Sequence, residues 1–300
     1  MLLIKFCQKN QVLKFKLMRQ IVVLFLFAIS FANAYNVATW NIRINIQEDS
    51  NNGNLWENRS KVIVQMIKFY DFDIIGIQED YRKEIKSLKL LLPDFHFIGF
   101  PNHENGFTGS HNSILINANK FTVLDSGMFY LAPVDSLPQL GWNAHYIRSC
   151  TWIKVQDKKT LNEMWVFNTH IDYVKGDAQE KSSLLILDKI KAIAGANSNS
   201  ILMGDCNFNE LSEGYRILSA SSLLDDSFDR AALKLVTSGS LNRFDPNYYH
   251  PERIDHIFVT RQFNVKKYGI LTDSYWFQGK QRLPSDHYPV YVQIVIQDAK

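Results

Sequence analysis

Apolar segments with the composition of β-strands recur along this chain, and several of them end in polar residues. Residues 73–79 form an apolar run that closes on Gln78-Glu79, and residues 200–205 close on an aspartate. Residues 290–296 alternate between apolar and polar side chains, directly after Ser285-Asp286-His287. A loop at a strand end gives polar side chains a rigid mount and access to solvent. The pattern therefore predicts a sheet-rich core whose strand ends together complete one polar site.

Helices and strands alternate in the first part of the chain, and strands dominate its middle. Residues 56–70, 84–92, 177–194 and 212–218 are predicted helices, from apolar spacing and from stops such as Pro93 and Gly195. The predicted strands are 35–43, 73–79, 95–100, 113–117, 121–130, 149–155, 164–169, 200–205, 253–260, 265–271 and 290–296. This mixed order predicts an α/β fold with two packed mixed β-sheets flanked by helices.

The N-terminus has the features of a secretory signal peptide. Lys14, Lys16 and Arg19 precede an apolar run at 21–29, which is followed by Ala32-Asn33-Ala34. The run is shorter than the roughly 20 residues that span a bilayer, so cleavage after Ala34 is favoured over a membrane anchor. We expect residues 1–34 to be a signal peptide and residues 35–300 to be one secreted or periplasmic domain. Met18 is an alternative start site.

Removal of the predicted signal peptide changes the charge balance. Of the 33 basic residues, five lie in residues 1–34, which hold no acidic residue, so 28 basic and 30 acidic residues remain, a net charge of −2. A near-neutral surface does not favour tight non-specific binding to a polyanion.

Two cysteines, Cys150 and Cys206, remain after the predicted signal peptide, and we expect both to be buried free thiols.

Carboxylate, amide and imidazole groups gather at the predicted strand ends, where apolar packing requires none of them. They are Asn41, Glu79, His170, Asp172, Asp205, Asn207, Asp255, Asp286 and His287. Carboxylate and amide oxygens suit hard cations such as Mg²⁺, Mn²⁺ or Ca²⁺. Such a cation binds a phosphate oxygen and offsets the charge that develops in a displacement at phosphorus. The pattern therefore predicts a site for a hard divalent cation.

The ordered motifs resemble those of the endonuclease/exonuclease/phosphatase superfamily. They are Thr39-Trp40-Asn41, Gln78-Glu79, Asn168-Thr169-His170, Gly204-Asp205-x-Asn207, Ile254-Asp255 and Ser285-Asp286-His287-x-Pro289-Val290. The resemblance spans residues 35–296, and residues 141–152 are similar to exported bacterial members. It implies a four-layered α/β sandwich of the deoxyribonuclease I-like type.

The resemblance also implies a role for each matching residue. Asn41, Glu79 and Asp286 would hold the divalent cation, which is Mg²⁺ or Mn²⁺, with Ca²⁺ as an alternative. His287, oriented by Asp255, would be the general base that activates water, a role that suits an imidazole near neutral pH.

Other matching residues would contact the substrate. Asp205 and Asn207 would align the water and the scissile phosphate, or bind a second metal ion. His170 would act as an acid or as a phosphate-binding donor opposite the base, and Asp172 would orient His170 or bind metal. Arg148 is a candidate phosphate clamp, because guanidinium geometry suits bidentate contact, and the alternative is a surface arginine.

We therefore expect an exported hydrolase that cleaves a phosphodiester, in the manner of a nuclease. A phosphomonoesterase acting on sugar, inositol or nucleotide phosphates is the alternative, followed by a non-catalytic binding protein of the same fold. The expected partner is a phosphoester, with nucleic acid as one option. We expect a monomer without a membrane anchor after cleavage.

Two further groups of residues could belong to the site but are more typical of other roles. Phe244, Tyr248, Tyr249 and Trp276 are in loops that could flank the site, although packing is favoured for most of them. His96, His103, His111, His145 and His250 show no ligand spacing, which is typical of surface or loop residues.

Overall fold

The computed structural model describes residues 34–103 and 109–297, so the predicted signal peptide lies outside the described residues, apart from Ala34. The helices of this part are α1 (Gln47–Asn51), α2 (Trp56–Phe69), α3 (Arg82–Leu91), α4 (Asp177–Ile193), α5 (Glu213–Ser219) and α6 (Ser227–Arg230). The strands are β1 (Tyr35–Asn41), β2 (Ile74–Gln78), β3 (Phe95–Ile98), β4 (Ile114–Asn117), β5 (Phe121–Tyr130), β6 (Ser149–Asp157), β7 (Glu163–His170), β8 (Ser200–Asp205), β9 (Asp225–Asp226), β10 (Leu233–Leu235), β11 (Asp255–Val259), β12 (Phe263–Ile270), β13 (Tyr275–Phe277), β14 (Lys280–Arg282) and β15 (Val290–Ile296).

The described strands form two large mixed sheets. A seven-stranded sheet has the order β10-β12-β15-β1-β2-β4-β3, and a six-stranded sheet has the order β5-β6-β7-β8-β11-β9. Strands β13 and β14 form a separate hairpin. The neighbours β1 and β2 are parallel, as are β7 and β8, whereas β11 and β15 run antiparallel to their neighbours β8 and β1. The predicted α/β fold with two mixed sheets is confirmed.

Side chains that alternate along the strands build a separate core on each side of the sheets. In β1, Val37 packs in the core between the sheets, whereas Ala38 and Trp40 pack with Ile63 and Ile67 of α2. A third core joins the six-stranded sheet to α4 and α5. These three apolar interfaces hold four layers together, in the order helices, sheet, sheet, helices.

A buried amide links the two sheets beneath the site. The Nδ2 atom of Asn168 on β7 donates to the carbonyl oxygens of Ile77, at 2.9 Å, and of Ser113, at 3.0 Å, beside the seven-stranded sheet. Its Oδ1 atom accepts a hydrogen bond from Nε2 of Gln78 at 2.7 Å. Asn168 and Gln78 belong to the motifs singled out in the sequence, but in the structure they join the sheets.

The predicted elements agree with the structure except where a segment is too short to show a period. No helix or strand was predicted at helix α1, at the short elements β9, α6 and β10, or at the hairpin of β13 and β14. Three-residue strands offer only one repeat of a two-residue period, so their sequences carry little signal.

Cys150 and Cys206 are buried free thiols, as predicted. Across the described residues, no helix has the length and apolar character needed to cross a membrane.

Candidate active site

Strand direction brings the polar strand ends to one edge of the two sheets. The register pairs Asn41 with Gln78 at the ends of the parallel strands β1 and β2. It likewise pairs His170 with Asp205 at the ends of β7 and β8. Strands β11 and β15 run the opposite way, so the residues at or before their first positions reach this same edge. Asp255 thus lies directly opposite Asp205.

A pocket of about 510 Å³ opens at this edge. Its lining includes Glu79, Arg148, His170, Asp205, Asn207, Asp286 and His287. Asn41 and Asp255 are fully buried next to it, where they hydrogen-bond to Asp205 and His287, respectively. The structure therefore brings every predicted site residue together at one pocket.

His287 is held by a buried carboxylate. Its Nδ1 atom lies 2.9 Å from Oδ2 of Asp255, and its Nε2 atom lies 3.8 Å from Oδ2 of Asp205. Burial by itself lowers the pKa of His287, but Asp255, Asp205 and Asp286 outweigh this effect and raise the pKa well above its usual value. These carboxylates therefore favour the protonated imidazole, and a cation that offsets their charge would weaken this effect.

Asp205 lies at the centre of the polar network. Its Oδ2 atom accepts a hydrogen bond from Nδ2 of Asn41 at 3.0 Å, and its Oδ1 atom accepts one from the backbone N–H of Asn207 at 3.0 Å. Burial raises the pKa of Asp205 to about 7, the Asp255 carboxylate adds to the rise, and His287 partly opposes it. Crowded carboxylates of this kind are stabilised by positive charge.

His170 lines the pocket in surroundings that favour its neutral form. Burial, with the positive charges of Arg148 and His287, lowers the pKa of His170 well below its usual value. Nδ2 of Asn207 lies 3.0 Å from Nε2 of His170 and also donates to the carbonyl oxygen of Ile171 at 2.9 Å. Nε2 of His170 also lies 3.4 Å from Oδ2 of Asp205, and the roles of acid or phosphate-binding donor stay predictions. With both amide hydrogens engaged, Asn207 has its carbonyl oxygen left to orient a water molecule.

A second carboxylate pair flanks an arginine that the sequence arguments missed. The Nη1 atom of Arg43 lies 4.0 Å from Oε2 of Glu79 and 3.8 Å from Oδ2 of Asp286. Nε of Arg43 also donates to Oδ2 of Asp49 at 2.9 Å. Burial raises the pKa of Asp286, and Glu79 adds to the rise, whereas His287 and Arg43 oppose it. In the sequence, Arg43 could have been identified by its position two residues after Asn41, at the same strand end.

The donor chemistry at Glu79 and Asp286 fits a hard divalent cation. Both carboxylates line the pocket, and both lie within 4.0 Å of the same guanidinium nitrogen, so they already converge on one positive charge. Asn41, the third predicted metal ligand, hydrogen-bonds to the residues around it. Its Nδ2 atom donates to Oε1 of Glu79 at 3.1 Å, and its Oδ1 atom accepts the backbone N–H of Arg43 at 3.0 Å. In the structure, Asn41 positions Glu79.

Asp205, Asp255 and His287 form a second cluster that could hold a metal ion. Their candidate ligand atoms all lie within 4.8 Å of one another, and Oδ1 of Asp255 is buried without a hydrogen-bond partner among the described residues. Asp205 is the member predicted either to align water or to bind a second metal ion. The close Asp255–His287 hydrogen bond favours the assignment of this cluster to proton transfer.

Asp172, predicted to orient His170 or bind metal, contacts Arg148 in the structure. Its Oδ2 atom accepts the backbone N–H of Tyr146 at 2.9 Å and lies 3.4 Å from Nε of Arg148. The side chain of Arg148 is largely buried and lines the pocket. A guanidinium fixed beside the pocket can bind a phosphate oxygen.

The aromatic residues at the pocket differ from those singled out in the sequence. Tyr81, Tyr146 and Tyr173 line it, whereas Phe244, Tyr248, Tyr249 and Trp276 do not. His103 also lines the pocket, and His145 contacts the rings of Tyr146 and Tyr173. No local pattern distinguishes these tyrosines from other loop aromatics, so only the fold reveals them.

Comparisons with known proteins agree with this geometry. The model of the Endonuclease/Exonuclease/phosphatase family matches residues 38–287. A solved structure titled mannosyl-6-phosphatase, from Bacteroides thetaiotaomicron VPI-5482, is 36% identical with a TM-score of 0.85, over 87% of this chain and 100% of that chain. An endonuclease/exonuclease/phosphatase family protein from Bacteroides thetaiotaomicron is 35% identical with a TM-score of 0.86, over 89% and 99% of the two chains. An uncharacterized protein, L388, from Acanthamoeba polyphaga mimivirus is 24% identical over 260 residues, 79% of this chain and 91% of that protein.

Proposed function

Because this chain belongs to the endonuclease/exonuclease/phosphatase family, we propose that it is a divalent-metal-dependent phosphomonoesterase that acts on a small sugar phosphate. The proposal is carried by two groups of side chains that converge on one pocket. His287, Asp255 and Asp205 form the first group, and Glu79 and Asp286 form the second. A general base, a water-aligning group and paired carboxylates are the components that phosphoester hydrolysis by water requires.

Different residues of the pocket accept the proton, orient the water and hold the phosphate. His287 takes a proton from water at Nε2, while Asp255 holds its Nδ1–H and stabilises the imidazolium that forms. Asn207 orients the same water through its carbonyl oxygen, and Arg148 holds a phosphate oxygen. The water oxygen bonds to phosphorus as the ester P–O bond breaks, and solvent supplies the proton to the departing alcohol.

Glu79 and Asp286 are the residues that would hold the cation, and Asn41 would position Glu79 through its amide. When bound, Mg²⁺ or Mn²⁺ supplies positive charge that offsets both the carboxylate field and the charge that develops on the phosphoryl oxygens. Burial raises the pKa of Asp205 and of Asp286, a neighbouring carboxylate adds to each rise, and a bound cation would offset both effects.

A monoester is better supported than the diester that we expected first from the sequence. The match to a mannosyl-6-phosphatase covers all of that chain at 36% identity. The net charge of −2 that remains without residues 1–34 gives little electrostatic help to a nucleic-acid substrate.

The proposal is tested by hydrolysis with and without Mg²⁺ or Mn²⁺. The substrates are mannose 6-phosphate, bis-p-nitrophenyl phosphate and plasmid DNA, and His287→Ala is compared with His96→Ala, a change at an exposed histidine. We expect release of phosphate from the sugar ester that EDTA abolishes and that His287→Ala lowers by about 10²–10⁴-fold. Cleavage of only the diester or DNA would favour the nuclease-like alternative. Metal binding without any turnover would favour a binding protein.

We also propose that the protein is exported, with cleavage after Ala34. The basic residues, short apolar run and Ala32-Asn33-Ala34 ending support this. Expression of the full chain in a bacterial host, followed by mass spectrometry of the N-terminus, should give mature protein that begins at Tyr35 outside the cytoplasm. Full-length protein retained in the cytoplasm would contradict the proposal.

A further inference from the structure

Tyr146 and Tyr173 keep about half of their surface open to solvent at the pocket, although both are large aromatic side chains. Tyr146 is 52% exposed and Tyr173 is 49% exposed, and both line the pocket. Their ring centroids lie 6.1 Å apart at an interplanar angle of 62°. The ring of His145 lies 4.9 Å from that of Tyr146 and 5.7 Å from that of Tyr173. These three side chains, here called the aromatic wall, expose apolar surface that a ligand can cover.

A buried carboxylate, that of Asp172, supports the two tyrosines of the aromatic wall. Asp172 is 1% exposed and accepts the backbone N–H of Tyr146 at 2.9 Å through Oδ2. Its Oδ1 atom accepts the backbone N–H of Val174, beside Tyr173, at 3.0 Å. The two loops that carry the tyrosines are therefore tied to the same side chain. A subsite built on such a support is preorganised, which reduces the entropy lost on binding.

The aromatic wall lies next to Arg148, the proposed phosphate clamp. The guanidinium of Arg148 lies 5.1 Å from the ring centroid of Tyr146, and Nε of Arg148 lies 3.4 Å from Oδ2 of Asp172. Arg148 also acts electrostatically on His170, on the catalytic side of the pocket. A substrate whose phosphate contacts Arg148 therefore has its next chemical group at Tyr146.

The angle between the rings favours a sugar over a flat base. A planar base is best held between parallel aromatic faces, whereas Tyr146 and Tyr173 meet edge to face. A pyranose can lay one C–H face on a tyrosine ring and turn its hydroxyl groups towards polar neighbours. We propose that the aromatic wall is the subsite that binds the pyranose ring of a hexose 6-phosphate. The inference rests on the proposed phosphomonoesterase function and names the residues that select its substrate.

The experiment compares hydrolysis of a phosphate ester that has a sugar ring with hydrolysis of one that has no ring. Phosphate release is measured with Mg²⁺ from mannose 6-phosphate, glycerol 3-phosphate and adenosine 5′-monophosphate. The variants are Tyr146→Ala and Tyr173→Ala, with Tyr146→Phe and Tyr173→Phe as matched changes that keep the ring. Tyr249→Ala is the control, because Tyr249 is 70% exposed and does not line the pocket.

We expect each alanine variant to raise KM for mannose 6-phosphate by about tenfold, which corresponds to about 1.4 kcal/mol of lost binding. The KM for glycerol 3-phosphate should change by less than about threefold, and kcat should change little for either substrate. The phenylalanine variants and Tyr249→Ala should retain the wild-type KM within about threefold.

Three results would overturn the inference while leaving the proposed function intact. The first is an equal rise in KM for mannose 6-phosphate and glycerol 3-phosphate in the alanine variants. The second is no rise in KM for either ester, and the third is a rise confined to adenosine 5′-monophosphate. A wild-type enzyme that releases phosphate from none of the three esters would instead contradict the proposed function. The two failures are therefore distinguishable.

Discussion

The Nδ1 atom of His287 lies 2.9 Å from Oδ2 of Asp255, although the two residues are 32 positions apart in the chain. Asp255 begins β11, and His287 lies three residues before β15, so the contact joins the two sheets at the pocket edge. A buried carboxylate at this distance fixes the ring and favours its charged form. The pair therefore controls both the position and the proton affinity of the proposed general base.

Replacement of Asp255 by asparagine should lower the pKa of His287 in metal-free protein. The Asp255 carboxylate is the largest of the effects that raise this pKa, and an adjacent opposite charge typically changes a pKa by about 1–3 units. The pKa is measured by NMR of the histidine rings as a function of pH, with His287→Gln to assign the signal. The exposed His96 serves as an internal control. A His287 pKa that is the same in wild type and Asp255→Asn would contradict the assigned contact.

Mg²⁺ should stabilise the folded protein through Glu79 and Asp286. A ligand that binds only the folded state at 100 times its Kd contributes about 2.7 kcal/mol to the free energy of unfolding. We expect Tm to rise with Mg²⁺ or Mn²⁺ in the wild type and in Glu57→Gln, a change at an exposed carboxylate on α2. The rise should be lost in Glu79→Gln and in Asp286→Asn. Retention of the full rise in both variants would place the cation elsewhere.

The stability of the protein should fall below pH 6.5 partly because of His256. This histidine is fully buried, and its Nε2 atom lies 2.9 Å from the carbonyl oxygen of Phe208. Burial, helped by Arg253 and opposed by Asp226, lowers its pKa. Below about pH 6.5 the unfolded chain therefore binds a proton that folded His256 does not, so the free energy of unfolding decreases as the pH falls.

Urea unfolding at pH 7.5 and pH 5.5 measures this contribution. The loss of stability on acidification should be smaller in His256→Gln than in the wild type by about 1 kcal/mol. The exposed His96 provides the matched control, since His96→Gln should keep the wild-type dependence. An unchanged dependence in His256→Gln would contradict the neutral state of this ring.

Removal of the amide that links the sheets should destabilise the protein strongly. In Asn168→Leu, the carbonyl oxygen of Ile77 loses the donor that Asn168 supplies, whereas the carbonyl oxygen of Ser113 keeps the backbone N–H of Ile77 and Nε2 of Gln78 keeps Oγ1 of Thr39. We expect the free energy of unfolding to fall by about 1–3 kcal/mol, the cost of one unpaired buried group. Denaturant unfolding should show little change for Asn264→Leu, at an exposed position of β12. Equal stability of the two variants would contradict the linking role.

The strands and the candidate residues were predictable because their signals are local. Residues 121–130 and 200–205 were predicted as strands with the boundaries of β5 and β8, since short apolar runs between turn signals are typical of strands. Polar residues at strand ends identified Glu79, Asp205 and His287 as candidates. The hairpin of β13 and β14 and the short elements at 225–235 were missed because they are too short to show a period.

The sequence by itself determined which segments become strands, which residues end them, and that oxygen and imidazole groups dominate those ends. Only the tertiary structure decided which of these groups meet: Asn41 donates to Asp205 across 164 positions, and Arg43 lies between Glu79 and Asp286. It also decided that burial and neighbouring positive charges lower the pKa of His170 and that the rings of Tyr146 and Tyr173 lie side by side. The physical reason is that a strand's own pattern fixes its faces, whereas its neighbours, register and loop positions are set by packing across both sheets.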